Sequence, residues 1–150
     1  MISTRLVAGE PDSGKTTLLR SMAAFLAGLG RAVAVIDERG EFWPEEMRAA
    51  RPPVDTVAGL PKAQAVQMAL RTLAPQAVLL DELGGMEEVR GLEQGFFSGV
   101  DYIASLHAAA PDEALRRPQV AYMREKGMLR VLVMLAGRQG PGQIAGVCRV

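Results

Sequence analysis

The sequence predicts an α/β fold in three layers, with a mostly parallel central sheet and helices on both of its faces. Short apolar runs rich in β-branched residues alternate along the chain with stretches of helical periodicity. Several of these runs contain no polar residue, which is typical of strands that are covered on both faces. Two further runs flank a glycine-rich turn near the end of the chain, and they predict a C-terminal hairpin.

The first half of the chain predicts two strands, one helix and a long loop. We expect a buried strand over 2–8 and a second strand over 32–36. Between them, a helix over 14–29 ends at Gly30. Three prolines and two glycines between 39 and 60 predict a loop with at most short helical pieces. One apolar face of the helix is expected to pack on the sheet, formed by Met22, Phe25, Leu26 and Leu29.

The second half of the chain continues the alternation. The predicted helices cover 61–73, 86–97 and, interrupted by Pro118, 111–127. The predicted strands cover 77–80, 100–106, 129–135 and 143–150. The last two strands flank the segment GRQGPG, which is the turn of the expected hairpin.

Composition limits the classes of protein to consider. A chain of 150 residues is expected to form one domain over 1–150. The formal net charge is zero and no basic stripe is visible, so we expect no nucleic-acid partner. Cys148 is the sole cysteine, which excludes an intramolecular disulfide and predicts a reducing, cytoplasmic setting. No apolar run reaches the roughly 18 residues of a membrane span, although the chain can still dock at a membrane machine.

The segment GEPDSGKTT, residues 9–17, predicts a phosphate-binding loop. Gly9, Gly14, Lys15 and Thr16 fit the pattern G-x-x-x-x-G-K-[ST] between a strand and a helix. Backbone amides and the helix N-terminus attract phosphate oxygens, the lysine neutralises charge, and the threonine hydroxyl binds Mg²⁺. We therefore expect ATP and Mg²⁺ as cofactors; the alternative is a glycine-rich turn without a ligand. The expected nucleotide-binding residues are Gly9, Glu10, Pro11, Asp12, Ser13, Gly14, Lys15, Thr16 and Thr17.

Two acids inside this loop, Glu10 and Asp12, are unexpected beside a polyanion. Because backbone amides form the cradle, both side chains can point to solvent. Asp is also among the residues that tolerate a positive φ. Carboxylates near a triphosphate should nevertheless weaken its binding by repulsion.

Three polar residues are expected at the carboxyl ends of neighbouring strands, where ligands bind in doubly wound sheets. Asp81 can reach the Mg²⁺ shell, and Glu82 can orient or deprotonate an attacking water. His107 follows the next strand and can donate a hydrogen bond to the γ-phosphate. The alternatives are a solvated acidic pair and a structural histidine.

Taken together, these segments resemble the stage III sporulation protein AA family, a relative of the secretion ATPases. The resemblance covers nearly the whole chain and includes GEPDSGKTTLLR, VAVIDERGE, PQAVLLDELGG, GVDYIASLHAAAPDEALRRP and GRQGPGQIAGV. It implies a RecA-like P-loop fold and an ATPase that assembles into a hexameric ring. It also implies a role in powering a secretion-like channel between mother cell and forespore, with a membrane channel protein as partner and a peripheral location at the membrane.

The resemblance also assigns roles by position. Lys15 and Thr16 match the Walker A pair, and Asp81 and Glu82 match the Walker B acids. His107 matches the histidine box. The segment Asp37, Glu38 and Arg39 matches a DER motif, in which Glu38 assists water activation or metal binding and Arg39 pairs with a neighbouring subunit. Arg116, Arg117 and Arg138 are further candidates for an arginine that acts across a subunit interface.

Family members carry an N-terminal domain ahead of the P-loop strand, whereas this chain begins almost on that strand. The resemblance therefore covers the ATPase core only. Two other functions stay open from the residues. One is a monomeric P-loop nucleoside-triphosphatase or kinase, with 39–60 as the only candidate lid. The other is a module that binds nucleotide without hydrolysing it, which the acidic loop would suit.

Overall fold

The computed structural model describes residues 4–49 and 53–150. In these residues the strands are β1 (Thr4–Gly9), β2 (Val33–Asp37), β3 (Asp55–Ala58), β4 (Ala77–Leu80), β5 (Asp101–His107), β6 (Leu129–Leu135) and β7 (Ile144–Arg149). The helices are α1 (Lys15–Gly28), α2 (Glu45–Arg48), α3 (Lys62–Thr72), α4 (Met86–Phe97), α5 (Pro111–Arg116) and α6 (Pro118–Glu125). Within this described part, no helix combines the length and apolar character that crossing a bilayer requires.

The strands form one sheet in the order β3-β2-β4-β5-β1-β6-β7. Every neighbouring pair is parallel except β6 and β7, which form the predicted antiparallel hairpin. Because parallel strands end at the same edge, the sheet gathers the residues that follow β1, β2, β4 and β5 along one rim. β5 lies between β1 and β4, so one strand separates the predicted phosphate loop from the predicted acids.

A hydrophobic core lies on each face of the sheet, as the alternation of strands and helices predicts. Val7, Leu79 and Ile103 point to the face covered by α1, where Leu19 and Ala23 are fully buried. The opposite core is larger. It is formed by the other side chains of the same strands together with α3, α4, α5 and α6. The predicted three-layer α/β architecture is confirmed.

The structure corrects two predictions made from the sequence. The expected loop over 39–60 contains strand β3 as well as the short helix α2, and residues 50–52 lie outside the described part. In α1, the residues that face the sheet include the small Ala23 and Ala27, whereas Phe25 and Leu29 are about two-thirds exposed. Residues 2 and 3 of the predicted first strand lie outside the described part, and the rest of that strand is found as β1, Thr4–Gly9.

Candidate functional site

The loop between β1 and α1 has the backbone of an anion cradle. Asp12 and Gly14 both have positive φ, at 62° and 91°, and α1 begins at the next residue, Lys15. A Cβ at position 14 would lie 2.5 Å from the nitrogen of Gly142, so glycine is required there by space as well as by φ. The first amide of α1 with an intrahelical acceptor is that of Leu18, which donates to the Gly14 carbonyl, so the amides of Lys15, Thr16 and Thr17 point out of the helix N-terminus. Residues 12–17 line a depression at this point.

Lys15 folds its ammonium back over the cradle. The Nζ atom donates hydrogen bonds to the carbonyl oxygens of Gly9, at 3.0 Å, and Glu10, at 2.8 Å. Burial lowers the pKa of Lys15, while the carboxylates of Glu82 and Asp81 act in the opposite direction. These contacts hold a cation at the mouth of the cradle. Both acceptors are neutral carbonyl oxygens, and a bound phosphate group can take their place as the partner of the ammonium.

The acidic residues after β4 are connected to the cradle by hydrogen bonds. Thr16 Oγ1 donates to Asp81 Oδ2 at 2.9 Å. The other oxygen of Asp81, Oδ1, accepts a hydrogen bond from Ser105 Oγ on β5 at 2.7 Å. The Glu82 amide then donates to that same serine oxygen at 2.7 Å. The result is a continuous chain, Thr16–Asp81–Ser105–Glu82, across three elements of the fold.

The hydroxyl of Thr16 and the carboxylate of Asp81 fit a Mg²⁺ site. Mg²⁺ prefers oxygen ligands and is usually held by one or two protein oxygens together with substrate phosphates and water. Here the two oxygen atoms already lie within hydrogen-bond distance of each other at the edge of the cradle. The donor set therefore agrees with the predicted metal.

Glu82 itself is exposed at the rim, and its backbone has a φ of 62°. Its carbonyl oxygen accepts a hydrogen bond from Lys62 Nζ, at the start of α3. The side chains of Glu38 and Arg39 line the same cleft as Asp81 and Glu82. The structure thus brings the predicted Glu38 to the predicted acids.

The DER segment begins at the last residue of β2 and consists of one buried residue and two exposed ones. Asp37 is 3% exposed, and its carboxylate accepts the backbone amides of Phe42 at 3.0 Å and Trp43 at 2.8 Å. Both aromatic side chains are buried in the core beside α1. Asp37 is therefore the residue that fixes the loop, which leaves Glu38 and Arg39 exposed at the cleft.

Arg20 connects this loop to α1, the helix that follows the cradle. Its guanidinium donates to the carbonyl oxygens of Phe42 and Glu41, each at 2.7 Å. The sequence interpretation gave Arg20 no role. Its signal is weak, because an arginine within an amphipathic helix usually lies on a solvated face.

His107 occupies the last position of β5 and is exposed at the rim. It pairs in register with Gly9, the first glycine of the cradle motif, and the Ala108 amide donates to the Gly9 carbonyl at 3.2 Å. Arg117 donates to the His107 carbonyl at 2.6 Å and pairs with Glu113 at 3.4 Å. The predicted histidine therefore lies on the cradle side of the sheet.

The GRQGPG turn packs directly on the cradle of its own chain. The Gly142 amide donates to the Ser13 carbonyl at 2.8 Å. Arg138 Nε donates to the Pro11 carbonyl at 3.3 Å and lies 4.0 Å from the Asp12 carboxylate. Beside them, Ser13 Oγ is buried without a hydrogen-bond partner among the described residues. Arg138 is thus engaged within its own chain, while the exposed Arg116 bonds the carbonyl of Asp112 in its own helix.

The family model described as "Sporulation stage III, protein AA" matches residues 1–149. The stage III sporulation protein AA of Bacillus subtilis (strain 168) is 29% identical over 154 residues. That match covers 95% of this chain and 49% of the relative, so the chain spans about half the length of the curated protein it matches.

Solved structures of secretion ATPases share the fold. The Legionella pneumophila ATPase DotB matches with a TM-score of 0.68 at 19% identity, over 89% of this chain and 40% of that chain. The VirB11 ATPase from the Brucella suis type IV secretion system, solved in complex with sulphate, matches with a TM-score of 0.62 at 21% identity. That match covers 98% of this chain and 48% of VirB11. These likenesses show that the chain has a RecA-like P-loop ATPase fold.

Proposed function

Because the chain belongs to the stage III sporulation protein AA family, we propose that residues 1–150 form a single ATP-binding and ATP-hydrolysing motor domain. The observation that carries this proposal is the hydrogen-bonded chain that links Thr16 of the cradle, through Asp81 and Ser105, to Glu82. A bare phosphate-binding turn needs the cradle amides, but it does not need an acid held beside them. Fold likeness to DotB and VirB11, each named an ATPase, adds support by analogy.

Each residue of the site has a separate task in the proposed reaction. The amides of Gly14 and its neighbours, with the Lys15 ammonium, bind the phosphates. Thr16 and Asp81 hold Mg²⁺, which neutralises charge that develops on the phosphate oxygens when it is bound. Glu82 orients the attacking water and accepts its proton.

Two further residues support this chemistry from the neighbouring strands. His107 donates a hydrogen bond toward the γ-phosphate and responds to its loss. Glu38 lines the cleft beside Glu82 and assists in placing the water. These roles predict that replacement of either residue lowers turnover and leaves nucleotide binding intact.

The proposed motor works as a homo-oligomer, a hexamer by resemblance to its family, on the cytoplasmic face of a membrane channel between mother cell and forespore. Because Arg138 contacts its own cradle, the better candidates for an arginine that reaches a neighbouring subunit are Arg39 and Arg116, which are exposed.

One experiment tests both the activity and the assembly. Phosphate release and solution mass are measured across protein concentrations for the wild type and for Glu82→Gln. A turnover per chain that rises with the oligomer and is lost in Glu82→Gln supports the motor. A turnover per chain that is independent of concentration indicates a monomeric nucleoside-triphosphatase. Binding of Mg·ATP without turnover in the wild type refutes the hydrolytic function and indicates a nucleotide-binding module.

A further inference from the structure

The backbone of Glu82 is held in a conformation that its side chain disfavours. Among the described residues, the non-glycine residues with positive φ are Asp12, Ala74 and Glu82. In this left-handed region, the Cβ of an ordinary residue comes too close to the following carbonyl oxygen. Such a conformation persists only where surrounding groups impose it, and it is frequent at functional sites. The groups that impose it on Glu82 can be identified.

Two side chains from different elements hold the peptide groups of Glu82. Ser105, which is fully buried on β5, accepts the Glu82 amide at 2.7 Å while its hydroxyl hydrogen bonds Asp81. Lys62, on α3, donates to the Glu82 carbonyl. The next residue is fixed as well, because the Leu83 amide donates to the Ser105 carbonyl at 2.7 Å.

Lys62 has an unusual location for a cation. It is the first residue of α3, after Pro61, and a helix N-terminus carries a partial positive charge. A lysine there is electrostatically disfavoured by its own helix. Its side chain is half-buried and lines the cleft between the acids and the DER segment. The contact with Glu82 supplies a reason for a lysine at this position.

We propose that Lys62 is a positioning residue for the reaction, which acts by holding the Glu82 backbone so that its carboxylate faces the γ-phosphate site. Ser105 holds the peptide group on the other side of the Glu82 Cα, through the Glu82 amide. The proposal rests on the proposed function in that Glu82 is taken as the residue that activates water. It assigns to α3 a part in the active site that the motifs of the sequence do not indicate.

Kinetics of lysine variants provide the first test. Lys62→Met keeps the aliphatic stem and removes the donor, and we expect kcat to fall about 10- to 100-fold with little change in KM for Mg·ATP, because a displaced group costs about this much in rate. Lys62→Arg should recover most of the loss. Lys126→Met is the matched control, because Lys126 is exposed at the end of α6, over the Tyr122 ring. It should behave as the wild type.

A double variant distinguishes a role of Lys62 in positioning Glu82 from an effect of Lys62 that does not involve Glu82. If Lys62 acts through Glu82, Lys62→Met should add nothing to the loss already caused by Glu82→Gln. Losses that multiply in the double variant would overturn the proposal, as would a wild-type kcat in Lys62→Met. In both cases the ATPase function itself would stand.

Hydrogen exchange tests the contact without relying on turnover. In Lys62→Met, amide exchange of a peptide that spans 79–84 should be faster than in the wild type, whereas Lys126→Met should leave it unchanged. Ser105→Ala should give the same acceleration by removing the other partner. If wild-type protein binds Mg·ATP but does not hydrolyse it, the proposed function fails. Hydrogen exchange still tests whether Lys62 and Ser105 hold the Glu82 backbone. Unchanged exchange in both Lys62→Met and Ser105→Ala would refute the proposal that these side chains hold the Glu82 backbone.

Discussion

The charge of Asp12 should weaken nucleotide binding, and the size of this effect can be estimated from Coulomb's law. The side chain is 84% exposed, and its carboxylate acts on Lys15 at the mouth of the cradle. If the carboxylate lies about 8 Å from the bound phosphates, in a medium with the dielectric constant of water, each pair of unit charges interacts by about 0.5 kcal/mol. Mg·ATP carries about two net negative charges, so removal of the carboxylate should gain about 1 kcal/mol, or about fivefold in Kd. Release of Arg138 from its ion pair acts in the same direction.

The assay is calorimetric titration of Mg·ATP into the wild type, Asp12→Asn and Asp12→Gly at low ionic strength. Asn tolerates positive φ as Asp does, so Asp12→Asn removes charge while it leaves the backbone preference in place. Both variants should bind more tightly, and the gain should shrink in about 1 M salt, where the Debye length is only about 3 Å. Equal dissociation constants for Asp12→Asn and the wild type at low salt would refute the electrostatic reasoning. A gain in Asp12→Gly alone would instead indicate backbone strain at φ 62°.

Three more predictions concern the metal, the DER loop and the cradle lysine. Thr16→Val should lose the Mg²⁺-dependent part of ATP affinity and keep the affinity measured with chelator, as followed by calorimetry. Asp37→Ala should lower the free energy of unfolding in urea by about 3 kcal/mol, because two backbone amides lose a charged acceptor. Because burial lowers the pKa of Lys15 below 10.5, its ammonium should discharge before an ordinary lysine does, so Mg·ATP binding should weaken as the pH rises toward 10.5.

Each of these predictions has a control in the same chain. Thr16→Ser keeps the hydroxyl and should retain Mg²⁺-dependent binding. Asp37→Asn keeps one acceptor oxygen and should lose only part of the stability. Lys15→Arg stays charged throughout the range, so a pH profile equal to that of the wild type would contradict the titration of Lys15.

The central architecture could be predicted because its signals are local. The cradle is one contiguous segment, and the run before it and the helix after it have clear periodicity, so both their type and their order follow from the chain. The rule that parallel strands end at one rim then places Asp81, Glu82 and His107 near the cradle. The structure agrees with this placement, with Asp81 bonded to Thr16 and His107 in register with Gly9.

Strand β3 and the packing face of α1 could not be predicted, because tertiary contacts decide them. β3 lies at the edge of the sheet, and Val57 is its one buried residue, so its sequence carries little hydrophobic pattern. In α1, Ala23 and Ala27 allow a close approach to the sheet, which leaves the larger Phe25 and Leu29 outside the contact. Periodicity identifies the helix but does not tell which side of a wide apolar stripe is buried.

Ser105 and Lys62 were missed for a different reason. Ser105 lies in the segment GVDYIASLHAAAPDEALRRP, but there its own role was not predicted, and Lys62 follows a proline at a helix start, outside every segment that carries the resemblance. They meet at Glu82 only because β5 lies next to β4 and because α3 begins near the end of β4. Sheet order, which the sequence does not state, brings them together.

The conformation of Glu82 bears on the choice between a motor and a module that only binds nucleotide. A module requires the cradle, Lys15 and a metal site, and the contacts of Lys15 and Thr16 at this site do not use the Glu82 side chain. A left-handed glutamate costs about 1–2 kcal/mol, and a buried hydroxyl and a lysine are engaged to hold it. Phosphate binding by the cradle does not require this conformation, whereas the proposed hydrolysis uses it to place the exposed Glu82 carboxylate. The two contacts that hold Glu82 in this conformation therefore support the proposed hydrolysis separately from the motif.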